Sequence, residues 1–170
     1  MGKKKYVAYV GTYTHGTSKG IQVYDVDVEN GTLTERSEVE VSNASHLAVS
    51  KNGKYLYSIE DEGAAVFERD ENGDLSRINS VDINGMRGCY LATDVDGRYL
   101  YVAGYHDGKV TVVHTHKDGR LGSVMDGVFH TGLGSVAERN FRPHVNCVRP
   151  TPDNKYLCAV DNGIDQVKIY

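Results

Sequence analysis

The sequence contains no tryptophan and only 3 prolines and 3 cysteines among 170 residues. It has no run approaching the ~20 apolar residues that a membrane-spanning helix needs. Residues 1–5 lead into the first apolar segment without the apolar region of a secretory signal. Three cysteines without metal-ligand spacing do not form a disulfide framework or a zinc module. We therefore expect a cytoplasmic protein with reduced thiols and no membrane partner.

A strong excess of charge of either sign is also lacking. Lys and Arg number 19 against 23 Asp and Glu, a net charge of -4, which excludes a strongly basic nucleic-acid binder. The nucleophile elbow Gly-x-Ser-x-Gly, a phosphate-binding glycine loop with lysine and a dinucleotide glycine fingerprint are all missing. We expect no cofactor, no metal and no nucleic-acid partner.

What the chain does contain is 19 glycines, 12 tyrosines and an internal repeat. Residues 46–57, which end in Gly-Lys-Tyr-Leu-Tyr, recur at 90–101 and more loosely at 147–158. The aligned residues Lys54 and Arg98 lie 44 positions apart, and Arg98 lies 57 positions before Lys155. The third unit therefore carries an insertion, which falls before Pro143.

A second set of segments, centred on Asn-Gly or Asp-Gly, alternates with the first and predicts hairpins. No segment has helical periodicity over the length of an ordinary helix, so the predicted fold class is all-β. Four strands in ~44 residues are typical of a β-propeller blade. The pattern predicts fourteen strands, about three and a half blades, in units at about 6–41, 43–82, 87–130 and 144–170. Residues 1–170 are thus expected to be the N-terminal half of a single propeller domain, completed by the missing C-terminal half or by self-association.

Strand polarity places the long polar loops at one end of the predicted propeller, called here the upper end, and the tight Asn-Gly or Asp-Gly turns at the lower end. Counting back from the aligned repeat residues puts a ring of polar side chains at the upper mouth of the central channel. Alternate residues of a strand point to the same side. The predicted ring, suited to a polar anionic ligand, comprises Asn43, Ser45, Arg87, His144 and Asn146, with His46 nearby.

Two other groups have simpler interpretations. His114 and His116 are two positions apart on a predicted strand and could bind a metal on one side, but a solvated strand face is the favoured interpretation. Cys89, Cys147 and Cys158 are interpreted as small packing residues, because no basic neighbour pattern supports an activated thiol.

Three stretches carry a resemblance to a known family: residues 10–24, residues 99–113, and Glu138-Arg-Asn-Phe-Arg-Pro-His-Val-Asn146 with the segment 159–170. They resemble the lactonase family of seven-bladed propellers, which includes bacterial propeller-type 6-phosphogluconolactonases and fungal carboxymuconate lactonising enzymes. The match covers the whole chain but about half of a family member.

The resemblance implies a lactone hydrolase that acts on a sugar lactone or sugar phosphate and is similar to 6-phosphogluconolactonase. It also implies a role in the pentose phosphate pathway. The activity would belong to the full-length protein of which this chain is expected to be the N-terminal half. The resemblance implies catalytic roles for His144 and for Arg139 of the preceding segment, whereas Asn146 replaces a second family histidine. Substrate-binding roles are predicted for Arg87, His46, Asn146 and Asn43. The alternatives are a non-catalytic binding scaffold and a muconate-type lactonising enzyme.

Overall fold

The computed structural model describes residues 6–135 and 140–170, which form fourteen β-strands in four antiparallel sheets. This part of the chain has no helix, and so none that is long and apolar enough to cross a membrane. The strands group as three, four, four and three along the chain. The predicted all-β class and the predicted grouping of strands are confirmed.

In every sheet, neighbouring strands are also consecutive in the sequence. The first two sheets contain β1 (Tyr6–Gly11), β2 (Gly20–Asp27) and β3 (Thr32–Glu40), then β4 (Leu47–Val49), β5 (Tyr55–Glu60), β6 (Gly63–Arg69) and β7 (Leu75–Asp82). The last two contain β8 (Tyr90–Thr93), β9 (Tyr99–Gly104), β10 (Lys109–Thr115) and β11 (Leu121–Phe129), then β12 (Val145–Pro150), β13 (Leu157–Asp161) and β14 (Gln166–Ile169).

The hydrophobic core is divided into three clusters, each lying between two consecutive sheets. Ile21 and Phe67 belong to the cluster between the first and second sheets, and Ile59 and Val102 to the cluster between the second and third. The third cluster joins the third sheet to the fourth and is made of Ala103, Val110, Val145, Val148 and Ala159. Face-to-face packing of successive four-stranded units is the architecture of a propeller.

The repeated turns at the lower end show why the repeat was visible in the sequence. Gly53 and Gly97 have φ of 73° and 70°, in the left-handed region that favours glycine. At the third equivalent turn the residue is Asn154, with φ 60°. Asparagine tolerates this conformation better than most residues, so the turn survives without glycine.

The two end sheets leave apolar side chains in solvent. On β14, Val167 and Ile169 are 59% and 65% exposed, and on β1 the exposed residues include Tyr6 and Val10. The apolar residues of the three clusters between the sheets are buried, whereas these side chains of the first and fourth sheets are not covered by another part of the described chain.

Candidate active site

The loops at the upper end bring residues from different sheets together. These loops connect β1 to β2, β5 to β6, β9 to β10 and β13 to β14, and they also include each connection from one sheet to the next. Most of the predicted site residues lie on or beside them. The structure places these residues in three groups.

The first group surrounds His144, which lies just before β12 and is 5% exposed. Its Nδ1 lies 2.8 Å from the carbonyl oxygen of Tyr105, and its ring stacks on the Tyr105 ring with centroids 4.4 Å apart. Because a carbonyl oxygen only accepts, Nδ1 carries the proton in this hydrogen bond. In the neutral imidazole, Nε2 therefore keeps its lone pair and is able to accept a proton.

A buried carboxylate fixes the backbone at His144. Oδ1 of Asp161 accepts hydrogen bonds from the backbone N–H of His144 at 2.7 Å and of Gly163 at 2.9 Å. Its Oδ2 lies 2.7 Å from Nδ1 of His130, whose Nε2 lies 2.9 Å from the Tyr170 hydroxyl. Burial lowers the pKa of His130, and the hydrogen bond to Asp161 opposes that shift. A neutral His130 therefore donates to Asp161 and accepts from Tyr170.

The second group joins Asn43 and Arg87 through Asp61. Asn43 Nδ2 donates to Asp61 Oδ1 at 2.7 Å, and Arg87 Nη1 lies 3.2 Å from the same oxygen. The Arg87 guanidinium also lies over the ring of Tyr13. The hydrogen bond from Asn43, helped by Arg87, lowers the pKa of Asp61. Arg87 is thus an ion-paired cation at the upper rim.

The strand alternation used to place the ring does not apply at these positions. Asn43 and Arg87 precede β4 and β8 rather than lying within them, and Asn43 has a φ of 48°. The pairing of β12 with β13 is also irregular between Val145 and Cys147, which encloses Asn146. Asn43 points into the loop cluster, where its Oδ1 accepts from Thr14 N at 3.0 Å.

The third group is the wall of the central channel. His46 accepts a hydrogen bond at Nδ1 from Leu91 N at 3.3 Å, and its ring packs 4.2 Å from that of Tyr90. Burial lowers the pKa of His46. The two side chains border a cleft of about 460 Å³ between the innermost strands β4, β8 and β12, which Arg149 also lines.

Two of the predicted ring residues carry buried polar atoms without a hydrogen-bond partner in the described part of the chain: Ser45 Oγ and Asn146 Oδ1. A buried polar atom without a partner is costly, and a bound ligand or water commonly satisfies it. Beside them, Cys89 Sγ lies 3.5 Å from the carbonyl oxygen of Val145. Burial raises the pKa of the Cys89 thiol to about 11, which agrees with a packing role.

Arg139 lies outside the described residues. Sequence reasoning interpreted Asp161 as a residue that stabilises the turn after β13, and it missed Asp61, Tyr105, His130 and Tyr170. The repeat itself carried a signal for two of them, because Asp61 and Tyr105 both follow directly after the second strand of a unit. Among residues 6–135 and 140–170, no group of three or more His, Cys, Asp or Glu residues could hold a metal ion.

Comparison with known proteins links this arrangement to one family. The family model for "Lactonase, 7-bladed beta-propeller" matches residues 7–170. The 6-phosphogluconolactonase of Bacillus subtilis is 38% identical over 172 residues, which cover 98% of this chain and 49% of that protein. The chain spans about half the length of the curated relatives that it matches.

Solved structures of similar proteins have the same fold as this chain. The periplasmic gluconolactonase of Pseudomonas aeruginosa superimposes with a TM-score of 0.92 at 32% identity, covering 98% of this chain and 50% of that one. A candidate 6-phosphogluconolactonase of Bacteroides fragilis gives 0.91 at 37% identity, with 98% and 48% covered. The family model matches residues 7–170, nearly the whole chain: this chain belongs to the lactonase family of seven-bladed β-propellers.

Proposed function

We propose that this chain forms part of a lactone hydrolase whose substrate is a sugar lactone, with the lactone of 6-phosphogluconate as the first candidate. The observation that carries the proposal is the orientation of His144. Its Nδ1 is engaged by Tyr105 O at 2.8 Å, so its Nε2 is the proton acceptor. The relatives named as 6-phosphogluconolactonases support the choice of substrate.

In the proposed reaction, His144 Nε2 takes a proton from water as the water oxygen bonds to the lactone carbonyl carbon. The ring C–O bond then breaks, and the proton passes from His144 to the leaving oxygen. One water is consumed, and a carboxylic acid with a free hydroxyl results. A general base in this position contributes ~10²- to 10⁴-fold to the rate.

The remaining predicted residues are proposed to hold the substrate. Arg87 or Arg139 pairs with the phosphate or with the oxyanion that develops on the carbonyl. Arg87 contacts Asp61 through Nη1, so other N–H donors of its guanidinium are able to bind an anion. Asn146 Oδ1 and Ser45 Oγ, buried without partners in the described residues, would bind substrate hydroxyls together with His46 and Asn43.

Two proposals concern the setting of this activity. The first is that the exposed sides of β1 and β14 are covered by the other half of a propeller or by a second copy of the chain. The second is that the protein acts in the cytoplasm, in the pentose phosphate pathway. The three cysteines are unpaired, as is usual in a reducing compartment.

The test is turnover of the lactone of 6-phosphogluconate, followed by acid release, with the protein that contains this chain. We expect His144→Gln to lower kcat by about 10²-fold or more. The control is His106→Gln, a change to an exposed histidine in the loop that holds Tyr105. Equal turnover in both variants would refute the role of His144. Lactone binding without turnover in the unmodified protein would favour a binding scaffold.

A further inference from the structure

Two imidazoles at the end of β10 border one small space. His114 lies on β10, and His116 follows immediately after its last residue. Their ring centroids are 4.8 Å apart and the rings are nearly perpendicular, with an angle of 88°. Residues two apart in an extended segment lie on the same side. The structure therefore places two metal-ligating side chains next to each other, away from His144 at the upper end.

The two imidazoles approach Gly122, which has no side chain to keep them away. Thr115 pairs with Leu121 across β10 and β11, so Gly122 is the neighbour of His114. A methyl group built on Gly122 would lie 3.0 Å from His116 Nε2 and 3.1 Å from His114 Nδ1. Both nitrogens thus face the position that any larger side chain would occupy.

The His114 ring is positioned by a contact that does not use its nitrogens. The His114 ring makes an edge contact with Tyr99, at 6.2 Å between centroids. Within residues 6–135 and 140–170, neither imidazole makes a hydrogen bond. Asp118 lies in the same turn as His116, but its Oδ2 lies 2.9 Å from Arg120 Nε, so that carboxylate is already paired.

We propose that His114 and His116 form a two-imidazole site for a first-row transition-metal ion of the Ni²⁺ or Zn²⁺ type. Imidazole nitrogen is a preferred ligand for both ions. The chain would supply two ligands, and water would fill the other coordination positions. The site stands apart from the lactone chemistry, because it lies at the other end of the sheets and shares no residue with it.

The experiment is calorimetric titration of the purified chain with Ni²⁺, which does not oxidise the three free thiols. We expect one equivalent to bind, and each of His114→Ala and His116→Ala to weaken binding by at least tenfold. The matched control is His15→Ala, a change to an exposed histidine of the upper end. Because His116 is exposed, its substitution leaves the core unchanged.

Gly122→Ala provides a second test that keeps both imidazoles. Its added methyl group would lie against His116 Nε2 and His114 Nδ1, with the His114 carbonyl oxygen at 3.3 Å, and the two rings are able to turn away from it. We expect weaker Ni²⁺ binding with an unchanged fold. The proposal would be overturned by absence of saturable Ni²⁺ binding to the unmodified chain, or by equal affinity in the doubly substituted His114→Ala, His116→Ala chain. Lactone turnover is no part of this readout.

Discussion

The carboxylate of Asp161 lies 2.7 Å from Nδ1 of His130, and both side chains are inaccessible to solvent. His130 is the first residue of the long connection from β11 to β12, which ends at His144, and Asp161 is the last residue of β13. One carboxylate therefore ties the start of that connection, its end at His144 and the turn at Gly163. The arrangement makes Asp161 a positioning residue for the proposed base.

Substitution of Asp161 is expected to be strongly destabilising. Asp161→Ala would leave three buried donors without their acceptor, and each buried donor left unsatisfied typically costs about 1–3 kcal/mol. The control is Asp165→Ala in the same turn, because Asp165 is exposed and its hydrogen bonds to Ser135 and Asn140 are near the surface. Urea unfolding of both variants checks this, and similar losses would contradict it.

The orientation of His144 is expected to depend on Tyr105. Tyr105→Ala removes the stacked ring while leaving the backbone carbonyl that accepts from Nδ1. We expect kcat on the lactone to fall by about tenfold, because small misplacements of a reacting group reduce the rate strongly. Tyr156→Ala, at an exposed tyrosine of the lower end, is the control. The comparison needs kcat and KM measured separately, and a change in KM alone would argue against this positioning role.

Stability is expected to decrease as pH falls through about 6.5. Burial lowers the pKa of both His46 and His130 below the ordinary value of 6.5. Below pH 6.5 the unfolded chain binds more protons than the folded chain, so the free energy of unfolding decreases toward acid. Above pH 6.5 the stability contributed by the two neutral histidines is fully present. Urea midpoints at pH 7.5, 6.5 and 5.5 measure the slope. His46→Gln should reduce the slope and His15→Gln should not; a flat profile would be inconsistent with both buried histidines.

Gly163 is expected to tolerate no side chain. A Cβ atom there would lie 1.9 Å from the Arg142 carbonyl oxygen and 2.8 Å from His144 N, both backbone atoms that cannot swing away. We expect Gly163→Ala to cost about 2 kcal/mol or more. Gly97→Ala is the comparison, since it has open space but a φ of 70°, and about 1 kcal/mol is expected from backbone strain alone. Thermal melts that rank the two the other way would contradict the steric argument.

Cys89 is expected to be unreactive in the folded protein. With the pKa of its thiol raised to about 11, roughly one molecule in a thousand carries a thiolate at pH 8. Iodoacetamide labelling followed by peptide mass analysis should modify Cys89 slowly in the native protein and rapidly after urea unfolding. Fast native labelling at Cys89 would show that the thiol is activated, contrary to its packing role.

The repeat made most of the fold predictable, because local turn chemistry marks it. Gly53, Gly97 and Asn154 identify three equivalent turns, and the strands between them follow from alternation. The site was less predictable. The contact of His130 with Asp161 spans 31 residues and that of His130 with Tyr170 spans 40, and no local pattern encodes such pairings. The positions of Asn43 and Arg87 were predicted from strand alternation, which does not hold in the loops where they lie.

The division of the core into three clusters between consecutive sheets has a consequence for how the chain opens. Each inner sheet is held on two sides, whereas the first and fourth sheets each have one packed neighbour. When the chain is studied by itself, without the covering half or second copy proposed above, the sheets form a linear array in which stability is the sum of nearest-neighbour terms and fraying begins at the ends. Amide hydrogens of β1 and β14 should therefore exchange with solvent deuterium earlier than those of β6 and β9, giving a gradient of protection that follows the order of the sheets.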